Sequence, residues 1–183
     1  MKLMVASDIH GASGYCEELL RRFEEEQADR LLLLGDILYH GPRNDLPLGY
    51  APKKVIEMLN PLADKLMCVR GNCDTEVDQM VLEFPIMAEY AIIYVGNRMI
   101  YATHGHHINP SDTGNLKKGD ILLSGHTHIP MCEERNGILC LNPGSVSIPK
   151  ENTEHSYMII DDKEFCWKNL KGEIYKTKIL ERD

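Results

Sequence analysis

Five short apolar runs in this chain each end, within a few residues, on a glycine set beside aspartate, asparagine or histidine. Residues 3–7 lead into Asp8, His10 and Gly11, residues 31–34 into Gly35-Asp36, and residues 66–70 into Gly71-Asn72. Residues 99–103 lead into His104-Gly105, and residues 121–124 into Gly125-His126-Thr127-His128. Runs of this length bounded by polar residues read as buried strands. Glycine at a strand end lets the backbone turn sharply and approach a ligand closely. Ligands of open α/β sheets collect at the carboxyl ends of the strands. The pattern therefore predicts a sheet with carboxylate, amide and imidazole groups gathered along one edge.

The segments between these runs set the fold class. Cys16, Leu19, Leu20 and Phe23 recur at helical spacing with charged residues on the other faces. Residues 37–52 hold several prolines and glycines and read as a long surface loop. From Lys53 the chain is helical again, with Val55, Met58, Leu59 and Leu62 on one side and a break or kink expected at Pro61. Thr75 is placed to cap a short helix reaching Leu82. From Phe84 the rhythm changes to hairpins, with Gly96-Asn97 and Asn136-Gly137 as turn dipeptides. Parallel βαβ units followed by antiparallel hairpins predict an α/β fold of two facing sheets with helices outside. With 183 residues and no linker composition, one domain over residues 1–183 is expected.

Bulk properties narrow the setting. The net charge of -8 is spread along the chain, which makes long nucleic acid a poor partner without opposing a small anionic substrate, since bound metal reverses the local field. Six cysteines lie scattered without C-x-x-C pairs, the pattern of reduced thiols in a cytoplasmic protein. The first eight residues read as a strand rather than a signal peptide, and no apolar run approaches membrane-spanning length, so no membrane partner is expected. Exposed edges in the last hairpins invite self-association, making a homo-oligomer one possible state.

Taken singly, each glycine-flanked fragment reads most simply as a turn. Five in register with five strand ends do not. Asp8-x-His10, Gly35-Asp36, Gly71-Asn72-Cys73-Asp74, His104-Gly105-His106 and Gly125-His126-Thr127-His128 resemble, in order, the five blocks of the calcineurin-like metallophosphoesterase superfamily. The strings at residues 40–44, 69–74 and 142–146 resemble more narrowly its small YfcE-type phosphodiesterases. The resemblance implies a four-layer α/β/β/α sandwich and hydrolysis of small phosphate diesters by a hydroxide held between two divalent transition metals. By the same resemblance Asp8, His10, Asp36 and His128 hold one metal, while Asp36, Asn72, His104 and His126 hold the other, with Asp36 bridging. Mixed carboxylate, amide and imidazole donors suit manganese, taken first here, and also iron, cobalt, nickel or zinc. Two such ions roughly 3.5–4 Å apart generate a nucleophile near neutral pH and clamp phosphoryl oxygens.

One position departs from the superfamily pattern. Cys73 stands where histidine usually follows Gly-Asn, and a protonated thiol is a weak, uncharged donor. It either takes part in catalysis or fills space beside the site, and Asp74 either keeps a role there or caps the following helix. Arg43 is a candidate for gripping substrate phosphate, with a surface salt bridge as its alternative. His106, beside His104, is a candidate for binding substrate or supporting a ligand. Residues 142–145 read as a turn that borders the pocket. Phosphomonoesterase activity on the same chemistry is a second enzymatic reading. A scaffold is the reading from another class, as in a retromer subunit of similar fold with a degraded metal site. The presence of all seven ligand positions favours the enzyme.

Overall fold

The computed structural model describes residues 1–180. Strand β1 (Leu3–Ala6) is followed by α1 (Ser13–Glu25), β2 (Arg30–Leu33), α2 (Pro52–Leu59), a 3-10 turn at Asn60–Lys65, β3 (Leu66–Cys68) and α3 (Glu76–Gln79). Then come β4 (Tyr90–Val95), β5 (Arg98–Thr103), β6 (Ile121–Leu123), β7 (Met131–Arg135), β8 (Ile138–Asn142), β9 (Ser156–Ile160), β10 (Glu164–Asn169) and β11 (Ile174–Ile179). One sheet has the order β11-β10-β9-β1-β2-β3 and the other β4-β5-β6-β8-β7. Both are mixed, and they face each other, with α1 and α2 packed outside the first, the α/β class expected.

Strand β1 explains why its sequence is apolar without alternation. Met4 and Ala6 pack with Cys16, Leu19 and Phe23 of α1, while Leu3 and Val5 face Ile100, Ala102, Ile121 and Leu123 of the second sheet. A strand covered on both faces carries a continuous hydrophobic run. Each large side chain so buried contributes on the order of 1.5–3 kcal/mol. The central tryptophan, Trp167, is fully buried between the sheets and its indole N–H donates to the Asn142 carbonyl at 2.7 Å.

Local signals set most element ends. Proline at the start of α2 supplies the φ a first helical turn needs. Pro61 converts the helix to a 3-10 turn rather than a bend. Thr75 caps α3 in a reciprocal box with Asp78, although the helix closes at Gln79 and not at Leu82.

Two features differ from the hairpin rhythm. Strands β5, β6 and β8 run parallel to one another. The β5–β6 crossover is the irregular segment 104–120, which carries no helical periodicity to announce it. That segment also supplies the outer layer of the second sheet, where Ile108 and Leu116 cover Leu122, Ile138 and Cys140.

Candidate metal centre

Backbone strain concentrates where β1, β2 and β6 end. Among the described residues, left-handed φ at non-glycine positions falls on Asp8 (60°), His10 (48°), Asp36 (56°), His126 (65°) and His128 (63°), besides four residues elsewhere. Side chains in that region are costly, and they persist where the surroundings over-determine them. Here the loops are laced together. The N–H groups of Asp8, His10 and Gly11 donate to the carbonyls of Gly35, Asp36 and Ile37 at 3.2, 2.9 and 2.8 Å. The Asp8 carbonyl accepts from both the Ser145 and Ser147 hydroxyls at 3.0 and 2.9 Å. Asn142 donates through its amide to the Gly125 carbonyl and the Thr127 hydroxyl. The turn at residues 142–145 thus buttresses the centre from behind.

Asp74 is buried, and its carboxylate accepts from the N–H groups of Asp36, Ile37 and Gly71 at 2.8, 2.9 and 2.7 Å. It staples the second and third loops together. The helix cap expected as its alternative belongs to Thr75. Burial dominates the Asp74 carboxyl and raises its pKa, with those three donors opposing. Glycine is required where the same loops touch: a Cβ on Gly71 would lie 2.1 Å from Asp36 Oδ1.

The imidazoles are fixed by their outer nitrogens. Nδ1–H of His10, His104 and His128 donates to the carbonyls of Tyr39, Leu34 and Ile148, each at 2.7 Å. A carbonyl can only accept, so the neutral ring turns its Nε2 lone pair inward. His10 Nε2 lies 3.6 Å from Asp8 Oδ1, 3.7 Å from Asp36 Oδ2 and 3.4 Å from His128 Nε2. His128 Nε2 lies 3.3 Å from Asp8 Oδ1. On the other side, His104 Nε2 lies 3.5 Å from Asp36 Oδ2, 3.0 Å from Asn72 Oδ1 and 3.1 Å from His126 Nδ1. Asp36 reaches both groups through Oδ2, while its Oδ1 accepts the Cys73 N–H at 2.8 Å. All seven ligand candidates therefore converge in two adjoining clusters.

Acceptors facing acceptors in a buried space call for a cation. Asp8 Oδ1 is fully buried and has no hydrogen-bond donor, a costly state for a carboxylate oxygen. Burial works against the Asp8 charge, and only protons on the His10 and His128 rings, taking the place of a metal cation, outweigh it and hold the carboxyl well below the usual range. At His10 burial is likewise outweighed, by Asp8 first, and the pKa rises. His126 is pushed down by burial and by His104. The donor set fits divalent transition metals, and the imidazoles disfavour calcium.

The remaining candidates separate. Arg43 lines a cavity of about 370 Å³ with Asp36, Asn72, His126 and His128, and among the described residues it forms no ion pair. Cys73 is buried on the same wall, 3.2 Å from the Asn72 amide that donates to it. Burial, then Asp36, raises its thiol pKa, and a protonated thiol is a weak, uncharged donor. His106 is not among the residues lining this cavity. Its ring stands 5.3 Å from that of His104 and 4.0 Å from that of His107, and burial with neighbouring histidines pushes its pKa down to about 4. Sequence reasoning missed Lys150, which lines the cavity because its N–H donates to the His128 carbonyl at 3.3 Å. Nothing in the Pro149-Lys150 dipeptide signals that link.

Comparison with known proteins gives the chain's family. The family model of the calcineurin-like phosphoesterase superfamily domain matches residues 1–164. The chain is 50% identical to phosphodiesterase YfcE of Escherichia coli strain K12 over 162 residues, 88% of each chain. It is 26% identical to the probable metallophosphoesterase YsnB of Bacillus subtilis, over 87% of this chain and 83% of that one. The solved structure of the E. coli phosphoesterase YfcE superposes with a TM-score of 0.94 at 46% identity, covering 99% of this chain and all of the other. Vacuolar protein sorting 29 from Cryptosporidium parvum shares the fold at 18% identity with a TM-score of 0.63, covering 99% and 98%.

Proposed function

The chain belongs to the calcineurin-like phosphoesterase superfamily and is a hydrolase, and on that premise we propose that it cleaves small phosphate diesters at a dinuclear centre. The observation that carries this reading is the inward-facing set of Nε2 lone pairs around a buried, donorless Asp8 oxygen. Asp8, His10, Asp36 and His128 form one ligand set, and Asp36, Asn72, His104 and His126 the other. Two divalent transition metals, manganese foremost, would there supply acidified water and charge stabilisation on phosphoryl oxygens. Among the described residues lining the cavity, the Cys73 thiol and the Thr127 hydroxyl accept from the Asn72 and Asn142 amides rather than donating to an imidazole base.

The chain's own residues do the rest. Asp36, held by the Cys73 N–H through one oxygen, keeps the other aimed at both imidazole groups. Arg43 and Lys150 face the cavity as cations for the non-reacting phosphate oxygens. The Cys73 thiol is a weaker proton donor than a histidine would be, so diesters with stable leaving anions react best. A diester carries one negative charge and a monoester nearly two; lacking a cationic histidine at position 73, the site favours the former. All of this rests within one domain spanning residues 1–183. No described helix is long and apolar enough to cross a membrane. The six free cysteines fit the reducing cytoplasm.

The test is metal content beside turnover. Manganese-loaded protein should hold two ions per chain and hydrolyse bis(p-nitrophenyl) phosphate faster than p-nitrophenyl phosphate, and chelator should remove both ions and activity. Equal turnover in metal-free protein would overturn the reading.

A further inference from the structure

We infer that the apolar cavity on the far side of Cys73 is a subsite for one ester arm of the substrate, so that the favoured diester carries one aromatic or similarly bulky apolar substituent. The inference rests on the phosphodiesterase reading above and names its substrate class. The cavity measures about 340 Å³, and Cys73 lines it together with Leu38, Tyr39, Tyr50, Ile56, Val77 and Val81. Cys73 also lines the polar cavity that holds Asp36, Asn72 and Arg43. One short, neutral side chain thus stands between a phosphate-binding space and an apolar one. A diester has two arms diverging from phosphorus; with the phosphate among Asn72 and Arg43, one arm can pass Cys73 while the other stays near Lys150.

One further observation points to an apolar occupant, and two show that the wall is fixed in place. Val77 and Val81 are 68% and 44% exposed, and Tyr39 is exposed too. Clustered apolar exposure rimmed by Lys53 and Asp78 marks a binding surface rather than ordinary surface scatter. The wall is also held in register with the centre, because the Tyr39 carbonyl accepts the His10 Nδ1–H. Finally, Tyr39 and Tyr50 both pack edge-on against His40, at 4.8 and 5.3 Å, which stiffens the face they present. Contacts made equally in ground and transition states lower KM without raising kcat.

The test uses dimethyl phosphate and benzyl methyl phosphate as competitive inhibitors of bis(p-nitrophenyl) phosphate hydrolysis by the manganese-loaded protein. The benzyl diester should inhibit at least about tenfold more tightly, the scale of burying a small apolar group. In the combined variant Val77→Ser, Val81→Gln that preference should shrink to within about threefold, with the dimethyl phosphate Ki and the metal content unchanged. A variant with higher KM and unaltered kcat for the aryl diester supports the same subsite. Equal inhibition by both diesters in the wild type would overturn the subsite and leave the phosphodiesterase reading standing. Absence of diester hydrolysis and of inhibition by either compound would overturn both. If the variant instead changes the mass in solution and keeps the inhibition ratio, the patch joins two copies and the subsite is refuted.

Discussion

The two ends of the sheets turn their chains by different means. At the hairpin end, β4 passes to β5 through Gly96-Asn97 and β7 to β8 through Asn136-Gly137, with left-handed φ at Gly96, Asn136 and Gly137. Those residue types adopt the conformation at little cost. At the other end the same region of φ is occupied by Asp8, His10, Asp36, His126 and His128. Turning there is done by the residues proposed as metal ligands, at a cost of order 1 kcal/mol or more each. At the hairpin end the outside support is a backbone bond, from the Gly119 N–H to the Gly137 carbonyl at 2.9 Å. The catalytic end is held by Asp74, Ser145, Ser147 and Asn142, whose side chains accept or donate across chain separations of up to 139 residues.

The sharpest way to break this contrast is to remove the group on which both clusters depend. Asp36→Asn keeps the size of the side chain and removes its charge. We expect loss of bound metal and a fall in kcat/KM on the order of 10²–10³ or more, larger than that of Asn72→Ala. Metal content by elemental analysis and kcat/KM for an aryl diester measure it. Near-normal values of both would remove Asp36 from its bridging place.

A glycine at each end makes the comparison direct. A Cβ on Gly71 would meet the Asp36 backbone at 2.3 Å as well as its carboxylate, so something must move in the centre. Gly71→Ala should weaken metal binding about 10–100-fold, the scale of losing a ligand's support. Gly96 has open space around it and φ of +59°. Gly96→Ala should lower stability by about 1 kcal/mol and leave metal affinity untouched. Parallel metal titrations and urea midpoints decide it, and equal metal affinity in the two variants would dissolve the distinction between the ends.

How legible each end was in the sequence follows from the same contrast. The ligand candidates were readable because ligands at strand ends are local: an apolar run, a glycine and a polar group stand side by side. The supports were not. For Asp74 the sequence left a role at the site and a cap on the following helix both open, because its donors come from residues 36, 37 and 71 and no local pattern shows them. Lys150 enters the cavity through one backbone bond to His128. The apolar cavity joins residues 38–56 to residues 73–81, a meeting that no local pattern announces. The α/β class, the two facing sheets and the first three strands followed from hydrophobic runs, while the parallel pairing of β5, β6 and β8 did not, because its β5–β6 crossover lacks a helix.

The smallest expected effect concerns a carboxylate that is as well supplied with donors as Asp8 is deprived of them. Glu26 sits at the C-terminal end of α1, where a negative charge is unfavourable against the helix dipole. Burial also works against its charge, but Lys168 at 2.6 Å, Lys2 at 3.1 Å and the Tyr157 hydroxyl at 3.0 Å outweigh it and hold the carboxyl below its ordinary value. A pKa lower in the folded than in the unfolded state stabilises the fold above the unfolded value and loses that contribution as pH falls through the folded one. Glu26→Gln should therefore cost about 0.5–1 kcal/mol at pH 7, a modest figure because lysine pairs at a surface are screened. The gap between wild type and variant should close as the pH drops below the ordinary carboxyl value of 4.5. Urea midpoints of metal-free protein at pH 7 and pH 3.5 isolate it, since the centre's own carboxylates are common to both proteins and cancel in the difference. A gap of the same size at both pH values would mean that Glu26 acts through packing, and that only the catalytic end of this molecule depends on where its charges are placed.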